Sequence, residues 1–265
     1  MKQIVYILAI VSCIIIASIS CKTSRIDAFP EDSIRMHAHN DYLHNRPLLD
    51  ALDLGYTSIE IDIIKYDSRL IVSHDGHGLD HKPHIVDLYI TPLKEYIEKN
   101  DLNIWLLIDL KKYDKETLAL LHDIAVANKD IFSTRSEEIQ KKALKIILSG
   151  DMPRREIADN PEYKYFFIDG RPENLNEEYD SHIMPLISTN LATYAAVSSE
   201  GRISALEKNK IASLVNDTHD QGKKFRFWNT KDHERSWSLL REIGVDLIGS
   251  DDLKRLSDFM SNTVD

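Results

Sequence analysis

From Ile34 onward the chain alternates short apolar runs with longer amphipathic ones, and it does so about eight times. Apolar or alternating runs of about four to eight residues read as strands, and segments with a 3.6-residue apolar period read as helices. The strands fall near Ile34–Asn40, Ser58–Ile63, Ile104–Leu110, Lys145–Ser149, Tyr165–Ile168, Met184–Ser188, Phe225–Trp228 and Asp246–Gly249, with a small hairpin strand at Leu70–His74. Helical patterns lie between them at Pro47–Asp53, Pro92–Lys99, Lys115–Ala127, Glu137–Ala143, Ile203–Gln221 and Asp232–Ile243. Strand and helix in regular alternation call for parallel strands joined by crossover helices, and eight repeats predict an α/β fold of the (β/α)8 TIM-barrel kind. Between Gly150 and Ser188 no convincing helix separates each pair of strands, so an irregular crossover is expected in the second half. A chain of 265 residues suits one such barrel. With no Pro- or Ser-rich linker and no internal repeat, residues 34–265 are expected to form a single catalytic domain.

Before the barrel, Met1 and Lys2 open a run, Ile4 to Ile19, that is apolar apart from Tyr6, Ser12, Cys13 and Ser18. It is short for a membrane span, which needs roughly 20 residues, but has the basic start and small-residue end of a secretory signal. The segment Ser18-Ile19-Ser20-Cys21 resembles a bacterial lipoprotein signal, departing from it at Ser18, where an aliphatic residue is usual. The resemblance implies a signal over residues 1–20 cut before Cys21, a polar tether over 21–33, and a cell-envelope lipoprotein held to the membrane by acyl chains on Cys21. An uncleaved anchor helix, or ordinary secretion with a free Cys21, is the alternative. The net charge of −10 repels a phosphate backbone, so nucleic acid is not an expected partner.

Active residues of such barrels sit at the C-terminal ends of the strands, and those ends are strongly polar here. The first strand ends in His37-Ala38-His39-Asn40-Asp41, the second carries Glu60-Ile61-Asp62, the hairpin ends in His74-Asp75 and the third strand ends in Asp109-Leu110-Lys111. Trp228, Asn229 and Asp251 close the last two strands. Glu60 and Asp62, two apart on a strand, share one face and point inward. An inward carboxylate pair is costly unless a cation neutralises it. A hard divalent ion, Mg or Ca, is the natural occupant, with Asp109 as third carboxylate and the amide oxygen of Asn40 as a fourth ligand.

At these residues the sequence resembles the phospholipase C-like phosphodiesterase superfamily. More narrowly it is similar to the family named after altered inheritance of mitochondria, whose opening motif reads like His39-Asn40-Asp41-Tyr42 followed by Arg46-Pro47-Leu48. Phosphoinositide phospholipase C domains show a His-Asn pair, then Glu-x-Asp, then a second His, which fall here on His39-Asn40, Glu60-x-Asp62 and His74. Glycerophosphodiester phosphodiesterases share the Glu-x-Asp and His-Asp steps, but carry Arg and Gly where this chain has Asn40 and Asp41. Asp109-x-Lys111 looks like the pair in sphingomyelinase D-type relatives.

Phosphodiester cleavage needs charge neutralisation at phosphate and one proton transfer each at the attacking and leaving oxygens. His39 and His74 suit the transfers, because imidazole titrates near neutral pH. The metal would stabilise the attacking oxygen, from a substrate hydroxyl or water, and Lys111 would hold a phosphate oxygen. Which histidine is acid and which is base stays open. Trp228 is either barrel core or a wall of the site, Asp251 either a rim residue or the cap of the last helix, and His37 a packed neighbour. His77, His81 and His84 read as loop residues. The expected activity is hydrolysis of a glycerophosphodiester, phosphoinositide or related phospholipid headgroup. The rivals are a binuclear zinc hydrolase of the amidohydrolase or polymerase-and-histidinol-phosphatase kind, suggested by His37-Ala38-His39, and a non-catalytic ligand-binding lipoprotein. Later strands offer none of the further histidines that the zinc site needs.

Overall fold

In a computed structural model, residues 35–262 are described apart from 101, 136–143, 178 and 199. Nine strands form one sheet: β1 Arg35–Ala38, β2 Ser58–Tyr66, β3 Arg69–Val72, β4 Ile104–Leu110, β5 Leu144–Gly150, β6 Phe166–Gly170, β7 Leu186–Asn190, β8 Lys224–Trp228 and β9 Leu247–Ser250. The order is β1-β9-β8-β7-β6-β5-β4-β2-β3, and a further pairing of β1 with β2 closes the ring. Eight strands are parallel, so the predicted TIM barrel is present. The ninth, β3, is antiparallel to the upper half of β2, with Tyr66 opposite Arg69. Because β2 pairs with β4 from Ser58 to Ile63 and with β3 from Ile63 to Tyr66, the hairpin stands above the barrel and carries its outgoing loop over the rim.

Two strands are shorter than the sequence suggests. β1 ends at Ala38 rather than Asn40, since Asn40 adopts a left-handed conformation (φ 46°) that turns the chain out of the sheet. β3 ends at Val72, leaving His74 in the bend beyond.

Seven α-helices are described: α1 Leu49–Asp53, α2 Thr91–Ile97, α3 Lys115–Ala127, α4 Arg154–Asp159, α5 Ala205–His219, α6 Glu234–Ile243 and α7 Leu253–Ser261. Their ends obey local chemistry. The Asp114 side chain accepts from Thr117 N at the start of α3, Ser204 and Glu207 form a reciprocal box at α5, and Gly244 (φ 89°) stops α6. The second half is irregular as expected: β6 reaches β7 through a 3₁₀ turn, Pro172–Asn176, with no α-helix among its described residues. The expected helix Glu137–Ala143 lies outside the described residues, as do the expected signal over residues 1–20 and the tether over 21–33. Among the described residues no helix is long and apolar enough to cross a membrane.

The main apolar layer lies between the sheet and the surrounding helices. A smaller cluster of Trp105, Leu107, Ile147, Phe167, Leu186 and Leu247 comes from the strands themselves. Trp105 and Leu107 share a strand face with Asp109, so this cluster plugs the barrel from below. The buried inward side chains toward the mouth are polar: His37, Ser58, Glu60 and Arg226, with Asp62, Ser149, Asp169 and Ser188, and the half-buried Asp109 beside them.

Candidate active site

Four consecutive residues after β1 do four different things. The His39 Nδ1 lies 2.7 Å from Asp251 Oδ1, just past β9. Asn40, in its left-handed turn, places Nδ2 3.2 Å from His39 Nε2. Asp41 is fully buried and its Oδ2 accepts from the Leu48 backbone N–H (2.5 Å) and from Tyr89 O–H (2.6 Å), which staples the loop to the barrel wall. Tyr42 donates its hydroxyl to Asp62 Oδ2 (2.7 Å) and touches Asn40 Oδ1 at 3.3 Å. Burial first, and then the Asp62 carboxylate, raise the Tyr42 phenol far above its ordinary pKa, so it stays a donor.

Asp62 and Asp109 face each other in register across β2 and β4. The fully buried Asp62 accepts on Oδ2 from His74 Nδ1 (2.7 Å) as well as from Tyr42. The Lys111 ammonium stands between the two carboxylates, 2.6 Å from Asp109 Oδ2 and 3.1 Å from Asp62 Oδ2. Burial works against that charge, but Asp109 and Asp62 outweigh it and raise the Lys111 pKa. Burial lifts the Asp109 pKa, and Lys111 offsets part of the rise. Lys111 is thus a structured, half-buried cation and no solvated loop residue.

Glu60 points inward as the alternation requires, but its Oε2 is bonded by Arg226 NH2 from across the barrel and by His37 Nε2 at 2.9 Å. Burial opposes its ionisation, yet Arg226 and His37 prevail and hold the carboxyl far below its usual range. The cost of burying this carboxylate, which the sequence argument assigned to a metal, is met by a guanidinium. His37 is fully buried, pushed down to about 4 by burial and by Arg226, and so neutral at pH 7; its Nδ1 contacts Ser58 Oγ at 2.7 Å.

Whether a hard cation fits can be judged from the donors that remain. Asp62 Oδ1 is buried without a hydrogen-bond partner, and Glu60 Oε1 accepts none among the described residues. Of Glu60, Asp62, Asp109 and Asp251, Glu60 is paired with Arg226, Asp62 and Asp109 share the single Lys111 ammonium, and Asp62 and Asp251 otherwise meet only histidines, so carboxylates outnumber the lysine and arginine partners bonded to them. All remaining donors are oxygens, so a divalent ion matches in both charge and ligand type. Among the described residues, however, no group of three or more His, Cys, Asp or Glu side chains is arranged to hold a metal ion, and the Lys111 ammonium stands between Asp62 and Asp109, so these carboxylates would have to reorient to take one.

Trp228 is 40% exposed at the end of β8, so it belongs to the mouth and not to the core. Asp251 does not cap the last helix; Asp252 does, accepting from Arg255 N, while Asp251 serves His39. Asp251 is the partner that sequence reasoning left undecided, and Tyr42 and Arg226 are ones it missed. For Arg226 a signal existed: a cation between two aromatic residues on a barrel strand has to face inward.

The class that the fold defines is the (β/α)8 barrel, which solved glycerophosphodiester phosphodiesterases share. More particularly, residues 28–104 match the AIM6-like phosphodiesterase domain. Among curated relatives, Altered inheritance of mitochondria protein 6 from Lachancea thermotolerans is 26% identical, the match covering 89% of this chain and 70% of that protein. The Arthroderma benhamiae homolog is 23% identical over 89% of this chain and 88% of its own. A solved glycerophosphodiester phosphodiesterase from Parabacteroides distasonis shares the fold with a TM-score of 0.55 at 16% identity, covering 88% of this chain and 99% of that one. A putative glycerophosphoryl diester phosphodiesterase from Agrobacterium tumefaciens gives a TM-score of 0.50 at 14% identity over 87% and 98%. The curated relatives are fungal proteins, which overturns the expectation of a bacterial cell-envelope lipoprotein anchored through Cys21. The likeness at Ser18-Ile19-Ser20-Cys21 is four residues long, too little to outweigh matches that span most of the chain.

Proposed function

We propose that the protein cleaves a phosphodiester of the glycerophosphodiester or phospholipid-headgroup class by acid-base catalysis between His39 and His74. The observation that carries this reading is that each histidine is held at Nδ1 by a carboxylate, His39 by Asp251 and His74 by Asp62, both at 2.7 Å. A carboxylate only accepts, so each neutral ring keeps its proton on Nδ1 and leaves Nε2 as the acceptor, which in His39 meets the Asn40 amide at 3.2 Å and in His74 meets no partner among the described residues. One Nε2 takes the proton of the attacking oxygen, and the other, protonated, gives one to the leaving oxygen. Lys111 steadies a phosphate oxygen, and Tyr42 fixes Asp62 and with it the plane of His74.

A divalent cation, Mg or Ca, belongs to the same reading, held by Asp62, Asp109, the free oxygen of Glu60 and the Asn40 amide oxygen. When bound it would balance the rim's negative charge and stabilise developing charge on oxygen. A rise in melting temperature with millimolar Mg or Ca that Asp62→Asn abolishes supports the ion; an unchanged melting temperature counts against it.

The test of the acid-base pair compares two esters. His39→Ala and His74→Ala should each slow an alkyl phosphodiester by ~10²-fold or more, the range for losing a positioned proton-transfer group. The variant lacking the acid should lose less on a nitrophenyl ester, whose leaving group needs no proton. His77→Ala, on the exposed loop beyond β3, should be nearly silent. Wild-type rates in both histidine variants on both esters would end the proposal.

A further inference from the structure

Beyond β3 the chain runs out over the rim and comes back, and the returning leg meets the outgoing one. Val72 N donates to Pro83 O at 2.9 Å, and Ile71 pairs with His84 in an antiparallel bridge. Gly78, in the left-handed region at φ 60°, makes the turn that lets the loop close. This closure sets Lys82 beside the bend that carries His74. Lys82 Nζ donates to Ser73 Oγ (2.7 Å) and to Asp75 Oδ1 (3.0 Å), the residues on either side of the histidine. Ser73 Oγ in turn donates to Asp75 O (2.7 Å) and accepts from Asp75 N (3.3 Å), so one buried serine stands at the centre of the bend. Asp75 Oδ1 also accepts from His77 N at 3.1 Å; the Lys82 contact first, and then this N–H, hold the Asp75 carboxyl below its usual range.

His74 itself has little to fix it. Its side chain is 67% exposed, and its one hydrogen bond among the described residues runs from Nδ1 to Asp62 Oδ2. Its backbone N–H and C=O bond nothing among the described residues. An exposed ring on an untethered peptide would wander, and a misplacement of about 1 Å can cost a reaction ~10²-fold. The peptide is tethered one residue away on each side instead. Ser73 N donates to Asp62 O at 3.0 Å, so the residue that holds the ring also holds the bend, and Lys82 joins Ser73 to Asp75 across it. Lys82 forms no hydrogen bond or ion pair with His39, His74, Asp62 or Lys111 among the described residues. Any effect it has on the reaction therefore passes through the bend.

We infer that Lys82 is a positioning residue for His74, clamping Ser73 and Asp75 so that the imidazole keeps its place against Asp62. The inference rests on the acid-base reading of His74 and adds to it a cation that stands outside the reacting groups.

The test uses Lys82→Met, which keeps the aliphatic stem and removes the ammonium at a partly exposed position. On an alkyl phosphodiester it should lower kcat about tenfold, with KM changed by less than about twofold. In the His74→Ala background the same change should alter kcat by less than about twofold, because the group that Lys82 positions is gone. An unchanged kcat in Lys82→Met overturns the inference, as does a loss carried mainly by KM, which would mean that Lys82 holds substrate. A tenfold loss that persists in the His74→Ala background also overturns it, since the lysine would then act on something other than His74. Should the wild type cleave no phosphodiester, the acid-base reading fails, and crystal structures of the wild type and Lys82→Met decide the positioning alone. An imidazole withdrawn from Asp62 Oδ2 or spread over several rotamers in the variant supports it. An ordered imidazole still 2.7 Å from Asp62 Oδ2 refutes it.

Discussion

Replacing Arg226 by Met should destabilise the barrel more than any exposed ion-pair loss, because Arg226 is the cation that lets Glu60 stay charged inside it. The two side chains are 3% and 10% exposed, and Arg226 NH2 bonds Glu60 Oε2 directly. Burial alone would push the Glu60 carboxyl up; with Arg226 and His37 present it is driven far down instead. Removing one partner of a buried pair costs about 3–5 kcal/mol, since the other charge is left without compensation. Two features of the structure point to the lower end, near ~3 kcal/mol. His37 Nε2 still bonds Glu60, and Arg226 Nε is itself buried without a partner, so methionine removes one unsatisfied donor along with the charge. The assay is urea unfolding followed by tryptophan fluorescence at pH 7.5 and fixed ionic strength, with Arg226→Met, Glu60→Gln and the double variant compared. The double variant should be more stable than either single variant, because the stranded charge is gone. A loss under about 1 kcal/mol, the value of an exposed pair, or a double variant no more stable than Arg226→Met, would refute the reasoning.

The remaining predictions concern the groups around that pair. His37 falls from 6.5 to about 4 in the folded protein; a depressed pKa contributes stability that is complete above 6.5 and is lost as pH drops toward 4. At about 1.4 kcal/mol per unit this amounts to roughly 3 kcal/mol. Unfolding free energy measured between pH 7 and 4.5 should fall in the wild type and fall much less in His37→Gln; parallel curves would contradict it. In Gly150→Ala the new methyl would lie 1.9 Å from Asp109 Oδ1 and 2.5 Å from Leu110 O at a backbone φ of +74°. A loss of about 1–3 kcal/mol in urea unfolding is expected, with activity falling as Asp109 is displaced; wild-type values of both would show that the site yields freely. Asp251→Asn should reduce kcat on an alkyl ester by about 10- to 100-fold with KM little changed, because an amide can donate to His39 Nδ1 and fix the wrong tautomer. Wild-type kcat in that variant would remove Asp251 from the positioning of His39.

The amino-acid order by itself determined the local pattern and its direct consequences. Apolar periodicity marked all eight barrel strands, and the missing helix between β6 and β7 was legible as a gap between Gly150 and Ser188. Alternation along one strand placed Glu60 and Asp62 on the inner face without reference to anything distant, and rim chemistry could be read because barrel strands end where their loops begin. The lipoprotein reading rested on the same kind of local signal, an apolar run followed by a four-residue likeness, and the fungal relatives overturned the bacterial cell-envelope location it implied. Only the tertiary structure decided the pairings. His39 and Asp251 are 212 residues apart, and Glu60 and Arg226 are 166 apart; each pair meets because β1 closes against β9 and β8 faces β2 across the ring. Local pattern fixes which face a side chain takes, since that depends on backbone geometry over two or three residues. Which charge it meets there depends on how eight strands close, and so the same inward carboxylate that called for a metal in the sequence found an arginine in the fold.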